Sequence, residues 1–207
     1  MLKEAQDWVK KMTNDYKLFK NVEIGKGSVI EDFCIIGIKS KLKTKFKTTI
    51  GKNSLIRAGT YIYEGNKIGE NFQTGNKVNI REKNKIGKNV RIGTLSIVEH
   101  HVTISNNVII HSNVFIPEYS IIRKGVWIGP NVTMTNAKYP NQKDTKSKLE
   151  GPILDTNCII GANVTILPGI KIGKNSIIGA GSVVTKNVSD NQISFGNPAK
   201  SYKRVNC

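Results

Sequence analysis

The sequence lacks the features of several common protein classes. It has no run of eighteen apolar residues and no opening apolar stretch with a basic flank, so we expect neither a membrane span nor a signal peptide. Its three cysteines, Cys34, Cys158 and Cys207, show neither metal-ligand spacing nor an even-numbered disulfide framework. These absences predict a cytoplasmic protein with no metal.

Negative charge is scarce, since 15 acidic residues stand against 32 lysines and arginines and the net charge is +17. A nucleic-acid groove would need its cations in one block or interleaved with aromatic side chains. Many of them instead occur once per repeat, as at Lys26, Lys52, Lys88 and Lys174. We therefore expect no nucleic-acid partner, but a field that attracts phosphorylated ligands.

What the sequence does have is a six-residue period. Aliphatic residues recur at every sixth position from Ile24 to Ile36, from Ile50 to Met134 except at Thr74, and from Leu154 to Val184, usually with a smaller residue four positions later. Turn triplets rich in glycine and asparagine lie between them, and both residues tolerate the positive φ of a corner. A period of six does not fit an α-helix and is typical of hexapeptide β-helices. It predicts an all-β, parallel β-helix with three hexads per coil.

Other segments depart from this period. Residues 1–21 carry apolar side chains at helical spacing, which predicts a short N-terminal helix that caps the solenoid. The β-helix should span residues 22–188, with loops at residues 37–49 and 135–153, and residues 189–207 should form a C-terminal tail. The lysine-rich first loop fits either a solvated edge or a basic arm. Long polar loops inside compact domains are usually functional or disordered, and we expect the second loop to be functional.

Several motifs resemble those of the hexapeptide-repeat acyltransferases. The stretches IGANVTILPGI (residues 160–170), IGAGSVVTK (178–186) and GNPAK (196–200) resemble the family in general. Residues 68–140, with IGENFQTGNKVNIRE, SNVFIP and WIGPNVTMTNAKYP, resemble the branch that N-acetylates amino sugars on nucleotide carriers. The resemblance implies a left-handed β-helix, a homotrimer with active sites between subunits, and acetyl-CoA as co-substrate.

The function implied by this resemblance is acetyl-CoA-dependent N-acetylation of a dTDP- or UDP-linked amino-deoxy sugar, for surface-polysaccharide biosynthesis. Two departures leave the sugar open. Ala137 follows the Thr-Asn pair where the branch often has aspartate, and Asn76 follows Thr-Gly where it often has histidine. The alternatives are a sugar O-acetyltransferase, a non-catalytic solenoid and a metal-dependent protein of the same fold.

Acyl transfer from a thioester needs a neutral amine, a positioned carbonyl and donors for the developing oxyanion. A sugar amine with a pKa of roughly 8 is partly neutral at pH 7, so a protein base is optional. The loop at residues 135–153 contains no histidine. We therefore expect an amine that reacts largely without a protein base, whereas a hydroxyl acceptor would need one.

The candidate site residues follow partly from the resemblance and partly from positions outside the inward-facing set and in the long loop. Catalytic candidates are His111 and Asn113, with ordinary corner positions as the alternative, and Asn136 in the loop. Substrate-binding candidates are Glu99, Glu118 and Tyr139, and for the two glutamates the alternative is a plain surface position. The candidates for binding acetyl-CoA are Ala162, Ala180, Gly181, Thr185, Lys186, Pro198, Lys200, Lys203 and Arg204.

Overall fold

The computed structural model describes residues 15–41 and 47–205, so most of the predicted N-terminal helix lies outside the described residues. The described residues form short strands and one 3-10 turn, Thr145–Lys148. In chain order the strands are β1 Lys17–Leu18, β2 Val22–Ile24, β3 Val29–Ile30, β4 Ile35–Ile38, β5 Thr48–Ile50, β6 Leu55–Ile56, β7 Tyr61–Tyr63, β8 Lys67–Ile68, β9 Gln73–Thr74, β10 Asn79–Ile80, β11 Lys85–Ile86, β12 Arg91–Ile92, β13 Ile97–Val98, β14 Thr103–Ile104, β15 Ile109–Ile110, β16 Phe115–Ile116, β17 Ile121–Ile122, β18 Trp127–Ile128, β19 Thr133–Met134, β20 Ile153–Leu154, β21 Ile159–Ile160, β22 Thr165–Ile166, β23 Lys171–Ile172, β24 Ile177–Ile178, β25 Val183–Val184, β26 Gln192–Gly196 and β27 Ala199–Arg204.

These strands stack into three sheets that form the sides of each coil. Sheet A runs from β1 through every third strand to β25, sheet B from β2 to β23, and sheet C from β3 to β24 and then β26 and β27. Asn79 pairs with Ile97 and Ile97 with Phe115, in parallel and 18 residues apart. Each coil therefore holds three hexads, and the prediction of a left-handed parallel β-helix is confirmed.

The core is a set of aliphatic ladders along the axis. In each two-residue strand of the central coils the second residue is buried and the first is more exposed, as in β10, β16 and β18. Ile80, Ile116 and Ile128 are fully buried in this way. Cys34 and Cys158 occupy small buried positions between them, as their place in the repeat predicted. The sequence period therefore sets which side chains exclude water.

The corners between the sheets give the outer surface its landmarks. Corner AB, between sheets A and B, includes residues 81–83, 99–101 and 117–119; corner BC includes residues 87–89; corner CA includes residues 93–95 and 111–113. Asparagines with positive φ turn many of these corners and stack on one another, as where Asn71 Nδ2 donates to Asn89 Oδ1 at 2.9 Å. Their fixed hydrogen bonds hold the coils in register.

Both loops leave the helix at corner AB. Ile121 pairs with Ile153, which lies 32 residues further on rather than 18, so the long loop inserts fourteen residues. Ile36 pairs with Ile62, a separation of 26, so the first loop inserts eight. Residues 42–46 of that first loop lie outside the described residues. Corner AB therefore carries more added chain than the other corners of the described structure.

The ends of the helix differ from the expected boundaries. β1 pairs with β4 before residue 22, inside the segment expected to cap the solenoid. β26 continues sheet C by pairing with β24, and β27 folds back antiparallel on β26. The segment expected to be a tail therefore extends the sheet. No helix among the described residues is long and apolar enough to cross a membrane.

Candidate active site

One position of corner AB carries a file of polar side chains along the helix axis. It is the second residue after the last buried residue of a sheet A strand. On successive central coils its occupants are 18 residues apart in sequence and about 4.8 Å apart in space. On five successive coils the occupants are Glu64, Glu82, His100, Glu118 and Asn136, and Pro168 and Lys186 hold the same position on the next two coils. Stacking of the coils, rather than closeness in sequence, brings these groups together.

Glu118 lies at the centre of the accessible part of this file. Asn136 Nδ2 donates to Glu118 Oε2 at 2.7 Å, and His100 Nε2 lies 3.7 Å from Glu118 Oε1. The loop returns against the same point, since the backbone N–H of Glu150 donates to the Asn136 carbonyl at 2.9 Å. Glu118 and His100 remain partly exposed. We call these three side chains, with Glu99, the acidic corner.

Glu99 joins this group through Arg81. The Arg81 Nη1 lies 3.4 Å from Glu99 Oε2, and its Nε lies 3.0 Å from Glu82 Oε2. Burial raises the pKa of Glu99 against the opposing charge of Arg81, and the nearby Glu118 raises it further. Burial alone would also raise the pKa of Glu82, but the Arg81 hydrogen bond and charge, with other hydrogen bonds, hold it below its usual value. A carboxylate with a raised pKa is suited to accept a proton from an ammonium group.

Aromatic rings border the acidic corner. The ring of His101 stacks on that of Tyr119, with centroids 5.6 Å apart, and His100 meets both rings edge-on. Burial lowers the pKa of His101 and so favours the neutral form of this ring. His101 and Tyr119 both have positive φ, which is uncommon for side chains of this size. The result is a flat rim beside Glu118.

The predicted catalytic residues lie at two different corners. Asn136 belongs to the acidic corner, whereas His111 and Asn113 lie at corner CA, across sheet A. Asn113 has φ 59° and donates to Asn131 Oδ1 at 3.0 Å, as the structural corner asparagines do. The His111 ring packs on Trp127 with centroids 4.7 Å apart. A single chain therefore does not bring His111 and Asn113 to Asn136.

Sequence reasoning missed His100. The signal was present, because His100, Glu118 and Asn136 are separated by 18 residues, the length of one coil. Of the predicted substrate-binding residues, the structure does bring Glu99 and Glu118 together with Asn136. Glu99 and Glu118 are therefore more than isolated surface carboxylates.

Tyr139 lies in the long loop rather than in the acidic corner. It is 58% exposed, and Thr145 Oγ1 donates to its carbonyl at 2.7 Å. With Lys138, Lys148 and Glu150 it lines a cavity of about 490 Å³ beneath the loop. Glu150 links this cavity to the acidic corner, because its backbone N–H is bonded to Asn136.

Some of the predicted cofactor residues lie along one open stretch of corner CA, which we call the groove. Ala162 and Ala180 lie on successive coils there, and the Gly181 N–H donates to the Ala162 carbonyl at 2.8 Å. A Cβ added to Gly181 would meet no atom within 4 Å, so this surface is open. Pro198 and Lys200 lie near the same corner, where β26 turns into β27. Small residues beside a lysine fit an extended thioester cofactor with phosphate groups.

The remaining cofactor candidates lie elsewhere. Thr185 and Lys186 follow β25 and so lie at corner AB. Lys203 pairs with Ile193 and Arg204 with Gln192, which places both at the corner BC end of sheet C. One chain thus divides the predicted cofactor residues among three corners. In residues 15–41 and 47–205, no three metal-ligating side chains are grouped to hold an ion.

Comparison with protein families gives two hexapeptide matches. Residues 85–118 and 151–186 match the bacterial transferase hexapeptide (six repeats), and residues 20–64 match the hexapeptide repeat of succinyl-transferase. These segments cover parts of the buried ladders on both sides of the long loop.

Curated relatives and a solved structure agree with these matches. The chain is 41% identical to a galactoside O-acetyltransferase of Lactococcus lactis over 85 residues, 39% of this chain and 41% of that protein. It is 36% identical to that of Escherichia coli over 96 residues, 44% of this chain and 47% of that protein. The matches thus span less than half of each relative. The UDP-N-acetylglucosamine acyltransferase of Francisella novicida shares the fold at 17% identity, with a TM-score of 0.79 over 93% of this chain and 70% of that one.

Proposed function

Because this chain belongs to the hexapeptide-repeat acyltransferase family, we propose that it transfers an acetyl group from acetyl-CoA to a sugar. The curated relatives named as galactoside O-acetyltransferases support both the acetyl group and the sugar. We further propose that the acceptor is the amino group of a dTDP- or UDP-linked amino-deoxy sugar. The net charge of +17 favours such a phosphorylated acceptor.

The acidic corner supports the proposal that the acceptor is an amine. Glu99, Glu118 and Asn136 present oxygen acceptors within one partly exposed patch, and an ammonium group has three N–H donors to match them. Glu118 is fixed by Asn136, so it would hold the amine in one orientation. Glu99, with its raised pKa, is placed to take the proton that the amine loses.

The division of the site between corners supports assembly of a homotrimer. The open groove of Ala162 and Gly181 lies at corner CA, and the acidic corner lies across sheet A from it. If corner CA of one subunit faces corner AB of the next, a thioester in the groove and an amine at Glu118 lie in one cleft. In that arrangement His111 and Asn113 also come to the cleft, as the sequence predicted. Sedimentation velocity of the full chain tests the trimer directly.

Acetyl-CoA would supply the electrophilic carbonyl, and the chain's own groups would bind and orient it. Backbone groups at Ala162 and Ala180 border the groove, and Lys200 offers a positive charge near its end. Holding the carbonyl beside a fixed amine lowers the entropic part of the activation barrier, because the two reactants no longer have to meet and orient in solution. Once the amine has lost its proton to Glu99, its attack on this carbonyl does not require a further protein base.

O-acetylation is the second candidate, and one observation favours it. His100 lies 3.7 Å from Glu118, and a histidine beside a carboxylate is the arrangement of a general base. A hydroxyl acceptor requires such a base, whereas an amine does not. The same cluster therefore makes opposite predictions for His100 under the two functions.

Thiol release from acetyl-CoA, measured with matched amino and hydroxyl sugars on dTDP and UDP, tests the proposal. The amino compounds should be substrates, and Glu118→Gln should lower kcat/KM about 10- to 100-fold, since a hydrogen bond to a charged group contributes about 1.5–3 kcal/mol. Glu70→Gln is the matched control, because Glu70 is a surface carboxylate between Lys52 and Lys88. It should leave kcat/KM unchanged.

His100→Gln separates the two candidates. With an amine acceptor it should change kcat by less than about tenfold, whereas loss of a required base costs roughly 10²–10⁴-fold. Turnover of hydroxyl acceptors alone, abolished by His100→Gln, would reject the amine and assign O-acetylation. A trimer that neither binds nor cleaves acetyl-CoA would reject both.

A further inference from the structure

A second cavity, of about 590 Å³, opens on the outer face of sheet A, toward corner CA of the first four coils. Its walls are largely apolar and include Phe33, Tyr61, Leu95 and Ile97. Phe33 and Leu95 are 66% and 54% exposed. Neither the acidic corner nor the groove at Gly181 contributes a residue to it.

The backbone at two of these walls is unusual. Phe33 and Leu95 both have φ of 61°, in the left-handed region that large side chains rarely adopt. On later coils the same position of corner CA is held by Asn131, Asn163 and Gly181, which suit that region. The geometry of the corner therefore does not require a large apolar residue at this position. Positive φ recurs at most corners of the helix, so what distinguishes Phe33 and Leu95 is a large apolar side chain at such a position.

Asn79 supplies a polar group in the same cavity. Its Oδ1 is buried and has no hydrogen-bond partner in the described part of the chain. A buried acceptor without a donor destabilises the fold, so a donor brought by a ligand would be favourable. The amide of asparagine also has N–H donors, and it can pair with a ligand edge that places an N–H beside a carbonyl.

The cavity and the acidic corner lie on one strip of sheet A. Asn79 in β10 is two residues from Arg81, and Ile97 in β13 is two residues from Glu99, a step of about 6.6 Å along a strand. Arg81 itself contacts Glu99. A ligand that occupies the cavity can therefore continue along the strip to the acidic corner, and Lys77 adds a positive charge at the cavity.

We propose that this cavity binds the uracil or thymine base of the nucleotide that carries the amino sugar. This rests on the proposed function, since it names the part of the same acceptor that lies furthest from the amine. Phe33 and Tyr61 provide ring faces beside the base, and base stacking on aromatic side chains is favourable. The imide N–H of the base donates to Asn79 Oδ1, and an adjacent carbonyl accepts from Asn79 Nδ2.

Isothermal titration of the full chain with UDP, dTDP, CDP and ADP tests this site without an acyl donor. UDP and dTDP should bind more tightly than ADP; this comparison tests the base itself, because an asparagine amide can also pair with the amino edge of adenine. Asn79→Leu should weaken UDP binding at least tenfold. Gln73→Leu, which removes an exposed amide from β9 of sheet C on the same coil, is the matched control and should bind UDP as the native chain does.

Leu95→Gly is a second variant, and its result should not be obscured by a folding defect. Glycine is at ease at φ 61°, so the variant should fold, yet it removes an apolar wall and should weaken UDP binding several-fold. Equal affinity for all four nucleotides, or unchanged UDP affinity in both variants, would overturn the proposal. So would loss of oligomer in Leu95→Gly with UDP affinity intact, which would assign the face to a contact between copies of the chain.

The experiments distinguish failure of the proposed base-binding cavity from failure of the proposed function. Acetylation of a nucleotide-linked amino sugar with an unchanged KM in Asn79→Leu would overturn the cavity and leave the function standing. Binding of UDP that depends on Asn79, without acetylation of any amino sugar, would support the cavity and reject the function.

Discussion

Replacing Arg81 by methionine removes the cation paired with a buried carboxylate. Glu82 is fully buried, and Arg81 Nε lies 3.0 Å from its Oε2. Removing one partner of a buried ion pair costs about 3–5 kcal/mol, because the remaining charge is left in a poorly solvating environment. Arg81 is 34% exposed and Ser40 also bonds Glu82, so part of this loss is offset. We expect a free energy of unfolding about 3 kcal/mol lower at pH 7.

The loss should depend on pH. In the native chain burial, the largest influence, raises the pKa of Glu82, but the hydrogen bond and charge of Arg81, with the backbone and Ser40 hydrogen bonds, outweigh burial and lower it. Its ionised form therefore stabilises the fold above the unfolded pKa, and that contribution is lost as the pH falls through the folded value. Without Arg81, burial dominates and the pKa of Glu82 rises, so the variant is stabilised as the pH falls. The difference between the two proteins should narrow toward pH 4.5.

Urea denaturation at one protein concentration measures both effects. Arg57→Met is the control, since the Arg57–Glu31 pair has a similar separation, 3.2 Å against 3.0 Å, but is exposed, and such pairs contribute about 0–1 kcal/mol. Arg81→Met/Glu82→Met should recover much of the stability, because it leaves no buried charge. Equal losses in Arg81→Met and Arg57→Met, or a gap that stays constant from pH 7 to pH 4.5, would refute the reasoning.

Two further predictions concern the corners and the core. Asn175 has φ 55° and donates to Asn191, so Asn175→Gly and Asn175→Val both lose that hydrogen bond, but valine adds backbone strain of about 1–2 kcal/mol; equal thermal stability of the two variants would contradict this. Burial raises the pKa of Cys158 to about 12, so iodoacetamide at pH 8 should leave it unmodified in the native protein and alkylate it in urea, as mass spectrometry can follow. Rapid labelling of native Cys158 would mean that the core opens readily.

Much of the architecture could be predicted from local pattern alone. The six-residue period placed Ile80 and Ile116 in the core, and Cys158 in a small buried position, because each hexad repeats one short strand and one turn. It also located the long loop, since a twenty-residue step from Met134 to Leu154 cannot remain in the stack. The period failed at the C-terminal end, where β26 and β27 pair without a hexad.

The site was only partly predictable. Glu99 and Glu118 were selected because they lie outside the inward positions of the repeat, and Asn136 because its loop should overhang a cleft; the structure brings these three together. His111 was selected from the resemblance and lies at another corner. His100 was missed although its distance from Glu118 equals one coil. The type of a residue suggested the chemistry it could perform, but it did not predict at which corner of the helix the residue lies.

The sequence by itself determined the geometry of the coil. The six-residue period sets the buried strand positions, and glycine and asparagine set the corners, and both effects are local in the chain. Only the tertiary structure decided the acidic corner and the cavity at Asn79. Contacts such as Asn136 with Glu118 depend on where an aperiodic loop returns, and the burial of Glu82 depends on the packing of coils and of the first loop. Such contacts join residues far apart in the chain, and no local pattern encodes their geometry.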